Sequence, residues 1–170
     1  MRKMRLKLQE VPYRSSEQIL ADKAAIKEEI VNLLTDPQID LSTLSRPHFT
    51  DLLSKQLLAN GWRPAIFSPT EYQLAKIEFV KDRVGLEVGF RHTSLIGPDL
   101  LKFQIASPYG LNKIDLALYI VTTKNFQKYI KTTYKHNWSG AMNFEKVDRY
   151  LRHFTNGIQV PVHVFVLDVI

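Results

Sequence analysis

The chain has 170 residues and not one cysteine. Disulfides, cysteine nucleophiles and thiolate zinc sites are thereby excluded, and the absence fits a cytoplasmic protein without demanding one. No apolar run reaches membrane-spanning length, and the N-terminus lacks the apolar core of a signal peptide, so no membrane partner is expected. There is no G-x-x-x-x-G-K-[ST] loop, no G-x-G-x-x-G, no H-E-x-x-H and no G-x-S-x-G. The five histidines (His48, His92, His136, His153 and His163) are scattered, which speaks against a histidine metal cluster, and His163 sits in an apolar strand pattern that reads as a hydrogen-bonded core position. Internal repeats, linkers and low-complexity segments are also absent. What remains is 45% hydrophobic and 24% charged, the balance of a globular domain with a sizeable core, and a net charge of +6 that suits an anionic partner such as nucleic acid.

Hydrophobic periodicity divides the chain. Met4, Leu6 and Leu8 alternate as a short strand. Ser15-Ser16 opens a helix to about Thr35 with Ile19, Ile26, Ile30, Leu33 and Leu34 as its stripe, interrupted by Lys23. Ser45-Arg46-Pro47 opens the next, lined by Phe49, Leu52, Leu53, Leu57 and Leu58 and closed by Gly61. A strand over 62–67 follows, then a hairpin over 76–90, a helix over about 94–106 with Leu95, Leu100, Leu101 and Ile105 available for packing, and an apolar strand over 113–121. The chain ends with a helix over 124–134, a loop over 135–141, a helix over 143–156 with Phe144, Val147, Leu151 and Phe154 inward, and a last strand over 160–170. This order predicts an α/β fold with a mixed sheet. The hairpin pairs antiparallel, and the helix after it crosses over to a parallel strand.

The hairpin is the most informative stretch. Val84, Leu86, Val88 and Phe90 share one face of its second strand, leaving Gly85, Glu87 and Gly89 on the other. In the first strand, alternation puts Ile77 and Phe79 on one side and Lys76, Glu78 and Val80 on the other. A two-residue turn at Asp82-Arg83 sets Val80 opposite Gly85, Glu78 opposite Glu87 and Lys76 opposite Gly89. Directly opposed carboxylates repel. A divalent cation between them removes that penalty, and Mg²⁺ takes carboxylate oxygens. A solvated polar face is the alternative. Elsewhere, Asp99 and Asp115 are candidate catalytic acids, though Asp99 reads more readily as a helix-dipole or capping group and Asp115 as a structural hydrogen-bonder, while Lys131-Thr132-Thr133-Tyr134-Lys135-His136-Asn137-Trp138-Ser139 has the donors and acceptors of groove readout or of an exposed loop.

The run Phe79-Val80-Lys81-Asp82-Arg83-Val84-Gly85-Leu86-Glu87-Val88, with Phe90, Ser94, Asp99-Leu100 and Lys113-Ile114-Asp115 after it, resembles type II restriction endonucleases of the BglII and BstYI kind. These belong to the PD-(D/E)xK nuclease fold and are related to BamHI. The similarity is closest over about residues 77–121 and extends upstream through Leu53 to Trp62 and downstream to Val160-Pro161 and the final strand. The resemblance implies a single endonuclease-like domain over residues 1–170 with its core at about 46–122, a restriction-endonuclease-like mixed β-sheet with a central hairpin flanked by helices. It further implies a cytoplasmic homodimer that cleaves palindromic, GATC-centred duplex DNA with Mg²⁺, alongside a cognate methyltransferase of the same system.

Carried over by position, Glu78 stands where the family has Asp, and Glu87 matches the family Glu; both would hold the cation with the backbone carbonyl of Val88. Gly89 stands where Gln, Glu or Lys is expected, so the water-activating group is missing from its place, and the register offers Lys76 as the catalytic substitute. His92, Lys131, Lys135, His136, Asn137 and Ser139 are the residues expected at DNA. Two other readings stay open: a DNA-binding protein of the same fold that has lost cleavage, and a structural module whose basic charge is incidental.

Overall fold

A computed structural model describes residues 6–36, 39–67 and 76–170. Its spine is a six-stranded mixed sheet in the order β1-β6-β5-β4-β3-β2, formed by β1 (Leu6–Tyr13), β2 (Arg63–Ile66), β3 (Lys76–Lys81), β4 (Val84–Val88), β5 (Leu116–Thr122) and β6 (Val162–Val169). β5 lies parallel to both β4 and β6, while β1, β2 and β3 pair antiparallel with their neighbours. Every residue of β5 is buried, as its near-continuous apolar sequence requires of a central strand covered on both faces.

Among the described residues, six α-helices cover the sheet. On one face the core is built by Leu20 of α1 (Ser16–Ala21), Ile26, Ile30 and Leu34 of α2 (Ala24–Leu34), Phe49, Leu53 and Leu57 of α3 (Arg46–Ala59) and Phe126 and Ile130 of α5 (Lys124–Tyr134). On the other face, Ile96, Leu100 and Phe103 of α4 (Ile96–Ala106) and Val147 and Leu151 of α6 (Phe144–His153) pack on Tyr119, Val121, Val164 and Val166. Among the described residues no helix is long and apolar enough to cross a membrane.

Three expectations are corrected. The helix expected over 16–35 is two helices, because Lys23 leaves helical geometry and its ammonium donates to the Asp82 carbonyl of the hairpin turn, 2.7 Å away. The strand expected at 4–8 runs on to Tyr13, paired along its length with β6; Met4 lies outside the described residues. α6 stops at His153, so Phe154 is 54% exposed rather than inward, and Leu101 and Ile105 of α4 also face solvent.

Candidate functional site

The hairpin turns on Asp82 and Arg83, whose φ angles of 48° and 62° are those of a two-residue type I′ turn matched to strand twist. Lys81 then faces Val84, Val80 faces Gly85 and Phe79 faces Leu86, the register expected from the sequence. Beyond Phe79 the alternation breaks. Between the pairs Arg63↔Val80 and Ala65↔Ile77, β3 advances one residue more than β2, so a bulge falls at Glu78. Ile77 therefore shares a face with Val80 and packs toward Gly85, while Phe79 joins the opposite core. This overturns the expected sharing of a face by Ile77 and Phe79. It also removes the expected meeting of Lys76 with Gly89: with Ile77 turned onto the Glu87 face, the exposed Lys76 is turned off it by alternation.

The bulge frees the backbone N–H of Glu78, which donates to Glu87 Oε1 at 3.3 Å. The two predicted acids are thus adjacent but unlike. Glu78 is exposed, whereas the Glu87 side chain is 1% exposed. Around Glu87 lies a charge cluster. Lys102 Nζ is 3.2 Å from Glu87 Oε1 and 3.5 Å from Asp99 Oδ1. Arg91 Nη2 is 2.5 Å from Asp99 Oδ1 and 3.6 Å from Glu87 Oε2. The hydroxyl of Tyr119 donates to Asp99 Oδ2 at 2.6 Å. Burial pushes the Glu87 carboxyl up to about 7, with Asp99 adding to the rise and Lys102 and Arg91 opposing it. Tyr119, wholly buried beside Asp99, is held well above its usual range by burial and then by that carboxylate.

At Gly89 the room that a glycine leaves beside Glu87 is taken by the neighbouring strand. A Cβ on Gly89 would stand 2.8 Å from Tyr119 Cε1 and from Val121 Cγ1, and 2.9 Å from the Ile120 carbonyl oxygen. Glycine is required here because β5 approaches too closely for a side chain, its Ile120 carbonyl accepting the Gly89 N–H at 2.7 Å.

Past β4 the chain enters a cleft of about 520 Å³, lined by Arg46, Thr50, Asp51 and Ser54 of α3, by Phe90, Arg91 and His92, and by Ser139. Trp138 builds this wall. Its buried ring packs against Phe49, Phe90 and Phe126, which anchors the 135–141 loop to the core. The loop is tied to the end of β4 by Thr93 N–H to Gly140 (2.8 Å) and Met142 N–H to Arg91 (2.8 Å). His92 and Ser139 therefore share one surface. His92 is exposed, and its Nδ1 accepts from Ser94 N at 3.1 Å. Asn137 Oδ1 accepts from Ser139 N (2.9 Å), His136 Nε2 lies 2.8 Å from the Ser42 carbonyl, and Lys135, in left-handed geometry after α5, donates to the Thr132 carbonyl. Lys131 stands exposed on the last turn of α5, apart from the cleft lining.

Sequence reasoning missed Arg91, Lys102, Tyr119 and Arg46, and favoured a dipole or capping role for Asp99 over a catalytic one. One spacing carried a signal, since Asp99 and Lys102 are one helical turn apart on α4; Glu87 and Arg91 meet only because the chain bends after β4. Asp115, by contrast, is structural as expected, gripped by both arms of Arg83 at 2.8 and 2.9 Å, and His163 is the expected hydrogen-bonded core residue, between Ser16 and Glu10.

The sequence matches the family described as restriction endonuclease BglII/BglIII over residues 8–167. No curated protein matches it. Among solved structures, restriction endonuclease BglII complexed with a DNA 16-mer is similar at a TM-score of 0.72 and 16% identity, over 94% of this chain and 77% of that one. Free BglII is similar at a TM-score of 0.60 and 13% identity, over 94% and 78%. At these identities the likeness is one of fold, and the mixed sheet with flanking helices is that fold.

Proposed function

This chain belongs to the BglII/BglIII restriction endonuclease family, and from that premise we propose that it is a Mg²⁺-dependent type II endonuclease of PD-(D/E)xK type that hydrolyses a phosphodiester in palindromic, GATC-centred duplex DNA. The observation that carries the reading is the buried Glu87 carboxylate at the end of the hairpin, joined to the Glu78 backbone and reached from the cleft through Arg91. Among the described residues no group of three His, Cys, Asp or Glu side chains stands ready for a metal. Magnesium does not need one, since it keeps several waters and takes one or two carboxylates. Glu87 and Glu78 would supply the carboxylates and Val88 a backbone carbonyl, the two acids being adjacent through the Glu78 N–H on Glu87 Oε1. When bound, the cation would polarise the scissile phosphate and lower the pKa of the attacking water.

The chain's own residues divide the rest of the work. Arg91, 36% exposed and lining the cleft, is placed to leave Glu87 for a DNA phosphate. Arg46 offers a second phosphate contact from the opposite wall, Lys131 and Lys135 supply further positive charge, and His136 supplies a hydrogen-bonding ring. His92, Asn137 and Ser139 are the candidates for base edges. The protein acts as a cytoplasmic homodimer, with a cognate methyltransferase to protect its own sites.

Digestion of a duplex of known sequence with Mg²⁺ or Mn²⁺, with the ends mapped, tests this. Unique ends at one palindrome are expected. Gly89 and the sealed Glu87 favour one rival, a degenerate DNA-binding protein of the same fold, and binding of duplex without any cut in either metal would establish it.

A further inference from the structure

The position that the family resemblance gives to a third catalytic side chain cannot hold one here. A Cβ on Gly89 would meet two side-chain carbons at 2.8 Å. On the α4 side of the Glu87 carboxylate stands Lys102, 6% exposed, with its ammonium within 3.5 Å of both Glu87 and Asp99. We propose that Lys102 is a catalytic residue of the endonuclease reaction, its ammonium orienting the attacking water and hydrogen-bonding a non-bridging oxygen of the scissile phosphate. The proposal rests on the endonuclease reading above.

Three features of the cluster support it. Glu87 and Asp99 are balanced by Arg91 and Lys102, so a divalent cation joining Glu87 leaves surplus positive charge where the phosphate's charge grows during hydrolysis. Lys102 is fixed in advance, because its partner Asp99 is itself anchored by the Tyr119 hydroxyl at 2.6 Å; a donor that need not reorganise is worth most in a site shielded from water. Arg91 does not duplicate it, since its partly buried guanidinium opens to the cleft whereas the Lys102 ammonium is held beside the Glu87 carboxylate itself. In the step itself the water oxygen bonds to phosphorus as one ester P–O bond breaks. A water proton goes to solvent, the leaving oxygen takes one from solvent, and Lys102 keeps its protons.

Lys102→Met removes the charge at nearly constant length and Lys102→Arg keeps it at a different reach. Each is compared with wild type by melting temperature, by affinity for duplex in Ca²⁺, by Mn²⁺ titration calorimetry, and by single-turnover cleavage in Mg²⁺. The expected result is a folded Lys102→Met protein that binds duplex as wild type does and Mn²⁺ at least as tightly, since a competing cation has gone, yet cleaves on the order of 10²–10³-fold more slowly. Lys102→Arg should recover the melting temperature without recovering the rate. A cleavage rate within about threefold of wild type in either variant overturns the proposal, as does a loss of cleavage matched by an equal loss of Mn²⁺ or DNA binding, which marks a structural counter-ion. Should Lys102→Met not fold, Lys102→Arg decides alone. A wild type that cuts no duplex in Mg²⁺ or Mn²⁺ overturns the endonuclease reading and this proposal together, whereas wild-type cleavage with an indifferent Lys102 removes the proposal only.

Discussion

Glu87, Asp99 and Lys102 are buried together, Arg91 reaches from them to the cleft, and each of the four is held by another. Lys131, Lys135, His136, Asn137 and Ser139 carry comparable polar chemistry along an exposed surface, where the contacts of Lys135, Asn137 and Ser139 lie within a few residues of one another. The difference follows from how each is assembled. The buried cluster needs β4 to come beside α4 and β5. The exposed segment needs only a helix end, a turn and one anchor, Trp138. Damage to the first should therefore be large and cooperative. Damage to the second should be small and local.

The largest expected effect is on cleavage. Glu87→Ala removes the buried carboxylate and should abolish cutting in Mg²⁺, while duplex affinity in Ca²⁺ persists, because phosphate contacts supply most of it. Cleavage at the wild-type rate would take Glu87 out of the site. Glu78→Ala should also impair cleavage but leave thermal stability unchanged, its side chain being exposed. Next comes the fold itself. Asp99→Ala leaves the buried Lys102 and the half-buried Arg91 to share Glu87, removes the carboxylate partner of the Tyr119 hydroxyl, and should cost about 3–5 kcal/mol in denaturant unfolding. A loss under about 1 kcal/mol would mean that the cluster is far wetter than its burial implies. Gly89→Ala, which forces a Cβ against Tyr119 and Val121, should cost about 1–3 kcal/mol.

Legibility in the sequence follows the same division. The hairpin near its turn was readable because Val84, Leu86, Val88 and Phe90 alternate, and only an even-length turn around Asp82-Arg83 keeps the faces unmixed. The parallel crossover to β5 was readable from the helix between the two strands. The bulge at Glu78 was not, because it depends on how β2 pairs from the other side, with Arg63 and Ala65 taking Val80 and Ile77. Glu87 could be picked out by its place between glycines. Its partners could not, since Asp99 looks like any acid in a first helical turn until β5 brings Tyr119 to it. The closure at Gly89 belongs to the same class: a glycine in sequence marks room for a ligand or for another backbone, and only the fold shows that β5 takes it.

In the exposed region the effects should be smaller and separable by kind. His92→Ala and Asn137→Ala are expected to lose about 1–3 kcal/mol of discrimination at one base pair if these side chains meet base edges. Lys131→Ala is the mildest case, and its readout is salt rather than sequence. Lys131 is exposed and off the cleft lining, so its removal should leave the melting curve where it was. As a phosphate contact it would weaken binding to all duplexes alike and reduce the slope of log affinity against log salt by about 1. A slope unchanged within error would place the DNA path on the Arg46 and His92 side of the loop alone, and a sequence-dependent loss would move Lys131 from the phosphates to the bases.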